Sequence, residues 1–246
     1  METKNGLLSV GAIAARDYRK AEIFQKYGID YCCGGGITLE EAAKNAGVAL
    51  GELVSALDAV EFAGQQAEID YMRWSPVKLA DYIEKKHHRY VRESLQVLME
   101  YGRKVAGHHG EKHPELIELD LAIRAEAHDL LTHIEREELV LFPAIRRLVA
   151  ISSGAAGGAA VHIGQLKFVK QAIAKMQAEH TSSGDSFEKI RQLTNHYQAP
   201  EEACNSYRYL YEKLKEFDED LRMHIHLENN ILFPAALSMV EAGTAR

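Results

Sequence analysis

The stretch His133-Ile134-Glu135-Arg136-Glu137-Glu138-Leu139-Val140-Leu141-Phe142-Pro143-Ala144 returns 91 positions later as His224-Ile225-His226-Leu227-Glu228-Asn229-Asn230-Ile231-Leu232-Phe233-Pro234-Ala235. Both copies read H-I-x-x-E-x-x-[VI]-L-F-P-A, which marks an internal duplication and constrains the fold more than any other feature. Each copy has a histidine at a matching distance upstream: His88 stands 45 residues before His133, and His180 stands 44 residues before His224. The duplicated unit therefore reads as a helical hairpin. A histidine and a glutamate four positions apart share one helix face, with Cβ atoms about 5–6 Å apart, so both reach one metal ion or a close pair. The upstream histidine comes from the antiparallel partner helix. Two hairpins packed with pseudo-two-fold symmetry aim four imidazoles and two carboxylates at the centre of a bundle.

Four long helical segments carry these residues, over about 76–106, 115–151, 161–193 and 201–241. They are separated by Gly107–Pro114, the Gly/Ala-rich Ser152–Ala160 and Thr194–Pro200. Long helices with short polar connections form an antiparallel up-down bundle. No stretch alternates like a strand, so the fold class is all-α. Ser75-Pro76 has the chemistry of an N-cap followed by proline at the first helical position. The Leu-Phe pairs of the repeat read as core, and Pro143 and Pro234, which lack an amide donor, should kink or loosen the helix about two turns beyond the ligands.

Ahead of the bundle, residues 7 to 63 read as three short helices: one over Ser9–Lys26, one opened by Thr38 with Glu41 as a capping box, and one over Leu50–Phe62. Asp30-Tyr31-Cys32-Cys33-Gly34-Gly35-Gly36 between the first two cannot continue a helix. The polar stretch from Gly64 to Arg73 then leads into the bundle. Residues 1–70 are expected to form a small helical domain, and residues 75–241 the bundle.

A lone H-x-x-x-E on a helix is more often a surface ion pair than a ligand set. Repetition of His, Glu and the Leu-Phe-Pro tail in register, each with an upstream histidine, reverses that balance. Four nitrogens and two carboxylates suit iron or manganese in high coordination better than a tetrahedral structural zinc site. If both carboxylates bridge, about 8 of roughly 12 positions on two octahedral ions are filled, and a solvent-derived bridge leaves about one open position per ion. The remaining histidines, His108, His109, His113, His128, His162, His196 and His226, read as solvated or loop residues. Periodicity does not choose between His87 and His88. Asp129 and Glu179 stand where they could orient an imidazole, although a solvated helix face is the preferred reading for both.

The net charge of −7 disfavours binding to phosphate backbones, so nucleic acid is not an expected partner. The opening residues Met1–Val10 carry no secretory pattern, and no run approaches the roughly 20 apolar residues that span a bilayer. A cytoplasmic location, away from the membrane, is the default expectation. Three cysteines make a disulfide framework improbable. Adjacent Cys32 and Cys33 close only a strained ring, and thiols beside glycine-rich backbone ahead of a helix tend towards lowered pKa, so the pair reads as a reactive dithiol for redox or transfer chemistry. Cys204 reads as an inert buried thiol.

The sequence resembles the iron-sulfur cluster repair di-iron proteins, the RIC or YtfE/ScdA-like family, nearly end to end. The resemblance is carried by Asp30-Tyr31-Cys32-Cys33-Gly34-Gly35, by His87-His88 with Arg92-Glu93, by Glu179-His180, by Glu201-Glu202-Ala203-Cys204 and by the second copy of the repeat. It implies His88 as the ligand in place of His87, with His133, Glu137, His180, His224 and Glu228 completing the metal set. It further implies a hemerythrin-like bundle, an oxo- or hydroxo-bridged centre of two iron ions per chain, and an N-terminal domain carrying the cysteine pair. The implied role is restoring iron-sulfur clusters after nitrosative or oxidative damage, with damaged iron-sulfur proteins as recipients and nitric oxide or oxygen as small-molecule partners. Iron donation is the implied mechanism, nitric oxide reduction a further activity, and a homodimer is left open. One departure lies after His180, where Thr181-Ser182-Ser183 stands in place of the family's common acidic residue.

The competing reading is a hemerythrin that binds or senses oxygen. Carriers of that type use a further histidine four residues after the third-helix ligand and an aspartate five after the last, positions held here by Gly184 and Asn229. A helix-turn-helix over Thr38–Val60 is opposed by charge, since Glu40, Glu41, Glu52, Asp58 and Glu61 face a single Lys44.

Overall fold

A computed structural model describes residues 8–62, 70–155 and 163–244. The stretch from Gly64 to 69, residues 156–160 of the Gly/Ala-rich connection and the first two positions of the expected third helix, His162 among them, lie outside these. Among the described residues there are helices and turns but no strand.

Local chemistry starts the helices. In the small domain Ser9 accepts a hydrogen bond from the Ala12 amide to open α1 (Val10–Arg16), and Thr38 accepts one from the Glu41 amide to open α3 (Leu39–Asn45). The helix expected over Ser9–Lys26 is in fact two, α1 and α2 (Lys20–Lys26). Asp17 turns extended between them (φ −149°, ψ 97°), and its carboxylate takes the Arg19 guanidinium at 2.8 Å, a local bond that competes with the helical one. The domain closes with α4 (Leu50–Phe62).

Four rods follow. The first is α5 (Pro76–Tyr82), a wide π turn at Ile83–His88, and α6 (Arg89–His109). Ser75 caps it by accepting from the Lys78 amide, with Pro76 behind it. The second is α7 (Glu115–Arg136), a π turn at Glu137–Leu141, and α8 (Phe142–Ser152). The third is the unbroken α9 (Ile163–Leu193), and the fourth is α10 (Asn205–Leu227), a π turn at Glu228–Leu232, and α11 (Phe233–Thr244). The fourth rod starts later than position 201 because Asn195, His196 and Tyr197 take left-handed backbone (φ 46°, 56° and 63°) and Cys204, still extended, is the N-cap. Cys204 is consequently exposed instead of buried, with His109 Nε2 at 3.2 Å from its sulfur.

The prolines loosen the rods earlier than expected. The Phe142 amide donates to the Glu137 carbonyl and the Phe233 amide to the Glu228 carbonyl, each five residues back, so the wide turns begin at the glutamates themselves. One extra residue in the turn accommodates a proline ring that would otherwise meet the carbonyl four back. The first rod's π turn contains no proline. There the widening brings two successive side chains, His87 and His88, fully inside.

Apolar faces pack into two clusters. One joins α1–α4 to Val91, Leu95, Ile134, Phe187, Leu221 and Ile225, so the small domain and one end of the bundle share a continuous core. The other holds Leu79, Ile83, Leu141, Phe142, Met176, Leu227 and Phe233. Between them runs a layer of buried histidine and glutamate. His226, expected in solvent, is buried at the junction with the small domain, its ring 5.6 Å from Tyr18 and 5.7 Å from Tyr31. Burial pulls its pKa down to about 4, so it is neutral, and its Nδ1 accepts from the Asn230 amide.

The junction depends on close backbone approach. The Gly11 amide donates to the Gly35 carbonyl at 2.8 Å, and a Cβ on Gly11 would stand 2.0 Å from Asn230 Oδ1. Asn230 Nδ2 in turn donates to the Tyr31 carbonyl. Gly11→Ala should therefore displace Asn230 and cost about 1–2 kcal/mol, read as a lowered urea midpoint. Gly51→Ala, which meets nothing within 4 Å, should leave the midpoint within about 0.5 kcal/mol. Equal effects would show that the junction is not sterically set.

Candidate metal centre

The six side chains singled out by the repeat meet in the polar layer. They form two groups, His88, His224, Glu137 and Glu228 on one side and His133, His180, Glu137 and Glu228 on the other, so both glutamates belong to both groups. All four imidazoles turn Nε2 inward. His88 Nε2 lies 3.1 Å from His224 Nε2, and His180 Nε2 lies 3.0 Å from His133 Nε2. Glu228 Oε1 is 3.0 Å from His224 Nε2, and Glu228 Oε2 is 3.2 Å from His180 Nε2. Glu137 Oε2 stands 3.4 Å from both His88 and His133. Donor atoms bound at about 2.1 Å and at right angles around an ion stand about 3.0 Å apart. The separations of 3.0–3.4 Å fit the edges of such coordination polyhedra.

Two further observations fit a metal. Glu137 Oε1 and Oε2 and Glu228 Oε2 are buried without a hydrogen-bond partner among the described residues. Such orphaned carboxylate oxygens are costly unless a cation takes them up. The outward ring nitrogens are also held. His88 Nδ1 meets Glu138 at 2.9 Å, His133 Nδ1 meets Glu179 at 2.8 Å and His180 Nδ1 meets Asn229 Oδ1 at 3.0 Å. Arg92 pairs with Glu138 and Arg136 with Glu179, fixing both carboxylates. Anchoring of this kind orients an imidazole and raises its basicity as a ligand.

Neither Glu138 nor Asn229 is expected from the sequence to hold an imidazole, although both follow the repeat's glutamate at the same register. Glu179 does reach an imidazole, whereas Asp129 is exposed. Glu179 precedes His180 as His87 precedes His88, yet His87 does not hold His224. Its Nδ1 goes to Asp220 at 3.1 Å, its ring stacks on His224 at 5.8 Å, and both His224 Nδ1 and His87 Nε2 are buried without a partner among the described residues. The two halves of the centre differ at this point.

Cys32 and Cys33 stand outside the six. The Cys33 thiol donates to the His180 carbonyl at 3.2 Å, and the Cys32 carbonyl accepts from Asn229 Nδ2 at 3.1 Å, so the pair lies behind His180. The lowered pKa expected of the pair is not found at Cys32, whose thiol is pushed well above its usual range by its hydrogen bond with Cys33 and by burial.

An antiparallel helical bundle whose buried histidines share two carboxylates defines a hemerythrin-like cation-binding protein, and residues 80–236 match the Hemerythrin HHE cation binding domain. Residues 8–61 match ScdA_N, a domain of unknown function. The chain is 35% identical over 213 residues to the iron-sulfur cluster repair protein ScdA of Staphylococcus haemolyticus, covering 87% of this chain and 90% of that protein. It is also 35% identical over 229 residues to the iron-sulfur cluster repair protein YtfE of Yersinia pestis, covering 93% and 96%. The chain belongs to the iron-sulfur cluster repair protein family of ScdA and YtfE.

Without metal, burial disfavours charge in this layer, but the shared carboxylates overcome it for two imidazoles. His88 is pushed up to about 11 and His133 to about 9, while burial keeps His224 low. Glu137 and Glu228, although burial opposes it, are drawn below their usual range by these histidines. Two imidazolium protons thus balance two carboxylates. Raised imidazoles stabilise the fold fully below the ordinary value of 6.5, and that contribution is lost as pH climbs through about 9 and then about 11. Metal-free protein should accordingly melt at progressively lower temperature from pH 6.5 to 9 in scanning calorimetry, and metal-loaded protein should not, since ions replace the protons. A flat metal-free profile would contradict the proton assignment.

Proposed function

We propose that this chain repairs iron-sulfur clusters damaged by nitrosative or oxidative stress by donating iron from a pair of iron ions held by His88, His133, Glu137, His180, His224 and Glu228. The observation that carries the reading is the sharing of Glu137 and Glu228 between two histidine pairs, with carboxylate oxygens left for a cation. Bound iron would supply redox-active, exchangeable Lewis-acid chemistry. The chain's own residues do the rest: the glutamates span both positions, and Glu138, Glu179 and Asn229 hold three imidazoles in their ligating orientation. A nitrogen and oxygen set without thiolate or a closed tetrahedron suits iron that must leave again.

Relatives named as iron-sulfur cluster repair proteins support iron-sulfur proteins as the recipients. We place the reaction in the cytoplasm, where three free thiols persist. No helix among the described residues is long and apolar enough to cross a membrane. Nitric oxide and oxygen are the small molecules that open positions on such ions admit. The oxygen-carrier reading is weakened at Gly184, where a further histidine is missing and the Cys33 sulfur lies 3.4 Å from where a Cβ would stand. We assign Cys32 and Cys33 a transfer role and residues 1–70 and 75–241 the two domains of the chain.

Mössbauer spectra of anaerobically purified protein should show two coupled irons per chain. Glu137→Leu or Glu228→Leu should abolish that coupled signal while far-ultraviolet circular dichroism keeps the helix content. Zinc alone in the wild type, or two coupled irons surviving in both variants, would end the assignment.

A damaged aconitase incubated with iron-loaded protein should regain activity as the coupled signal falls in parallel. Recovery without iron loss would refute donation. Cys32→Ser with Cys33→Ser should leave the signal intact but slow recovery severalfold when reductant is limiting, and unchanged recovery would reduce the pair to a turn.

A further inference from the structure

The turn after α2 carries a third ligand group that the bundle does not use. Asp30, Cys32 and Cys33 bring one carboxylate oxygen and two sulfurs within 4.8 Å of one another. The backbone fixes this arrangement before any ligand arrives. The amides of Cys32 and Cys33 donate to Asp30 Oδ1 at 2.9 and 3.0 Å, and the Gly34 amide donates to Oδ2 at 2.8 Å. A carboxylate has about four lone-pair sites. Two of these amides and the Cys32 thiol, at 3.2 Å, converge on Oδ1, while Oδ2 takes only the Gly34 amide and keeps a lone pair for an ion.

The distances suit a metal. Two thiolates bound at about 2.3 Å in a tetrahedron stand about 3.8 Å apart, and the Cys32 and Cys33 sulfurs are 3.8 Å apart and not bonded to each other. The sulfur to oxygen edge of such a tetrahedron, with oxygen at about 2.0–2.2 Å, is about 3.6 Å, so the 3.2 Å hydrogen-bonded contact of Cys32 with Asp30 has to open by about 0.4 Å when an ion takes the place of the thiol proton. From these separations we infer that Asp30, Cys32 and Cys33 form a second metal site, holding one thiophilic divalent ion of the ferrous class with its fourth position open to solvent. That position faces a cleft of about 920 Å³ between the small domain and the bundle, lined also by Asp185, Glu188 and Arg191. Three protein ligands and one open position make a site that passes an ion on, in contrast to a closed structural site.

Binding is an exchange without redox change. One divalent ion enters, two sulfur–metal bonds form, and two thiol protons leave to solvent, one from the contact with Asp30 and one from the contact with the His180 carbonyl. Because both thiols must lose a proton to bind, affinity drops as pH drops. The inference rests on the reading of the bundle as an iron source, since it gives a released ion a place to wait beside His180. Gly184 on α9 faces the Cys33 sulfur, which lies 3.4 Å from where a Cβ would stand.

Cobalt(II) is the probe. Full-length protein carrying Cys204→Ser, which removes the remaining thiol, is loaded with iron and titrated anaerobically with cobalt(II). One equivalent should produce a thiolate-to-cobalt charge-transfer absorption together with the ligand-field bands of a tetrahedral ion. Adding Cys33→Ser should abolish the charge-transfer band, and Asp30→Asn should weaken cobalt binding at least tenfold, with the coupled iron signal unchanged in each. Absence of the band, or its survival in the Cys33→Ser chain, would overturn the site. A chain that shows the band but never holds coupled iron would instead refute the proposed function and leave the turn site standing.

Discussion

Glu137 and Glu228 are fully buried at the centre of a helical bundle, and their side chains leave three oxygens without hydrogen-bond partners among the described residues. Burying bare carboxylates costs several kcal/mol each unless opposite charge arrives. Everything around them answers that cost. Four imidazoles surround them, two take protons when no ion is present, and an outer ring of Glu138, Glu179, Arg92 and Arg136 returns the compensating charge towards solvent. The bundle spends its middle layer on this cluster instead of apolar contact.

Duplication explains why the layer is nearly symmetric, and one position shows how the halves have diverged. At equivalent places before the upstream histidine, one half has Glu179 and the other His87. Glu179 grips His133, whereas His87 only stacks on His224 and turns to Asp220. Three imidazoles are therefore oriented by a partner and one is not. The small domain adds to the asymmetry, because its thiol turn touches His180 and Asn229, which belong to the second half.

The register of His133, Glu137, His224 and Glu228 was legible because a spacing of four is local helix geometry and does not depend on context. The all-α class and the short connections followed from the same periodicity. What escaped depended on tertiary contact or on phase. The π turns add a residue at Ile83–His88, Glu137–Leu141 and Glu228–Leu232, which is why periodicity could not decide between His87 and His88: both are inside. His226 is buried only because the small domain docks over it, and Cys204 is exposed only because the fourth rod begins one turn late. Asn229 and Glu138 shared the repeat's register, but register alone does not say which polar neighbour turns towards an imidazole.

The polar layer also divides the apolar interior in two, one cluster continuous with the small domain and the other closing the far end. Each rod crosses the boundary, three of them through a π turn, where the backbone ladder changes step. Mechanically, the bundle is two short stacks joined by a hinge plane, and ions seated in that plane would act as its rivets. Taking them out would loosen a joint as well as empty a site, so amide exchange in the wide turns would follow occupancy while the cores on either side kept their own protection.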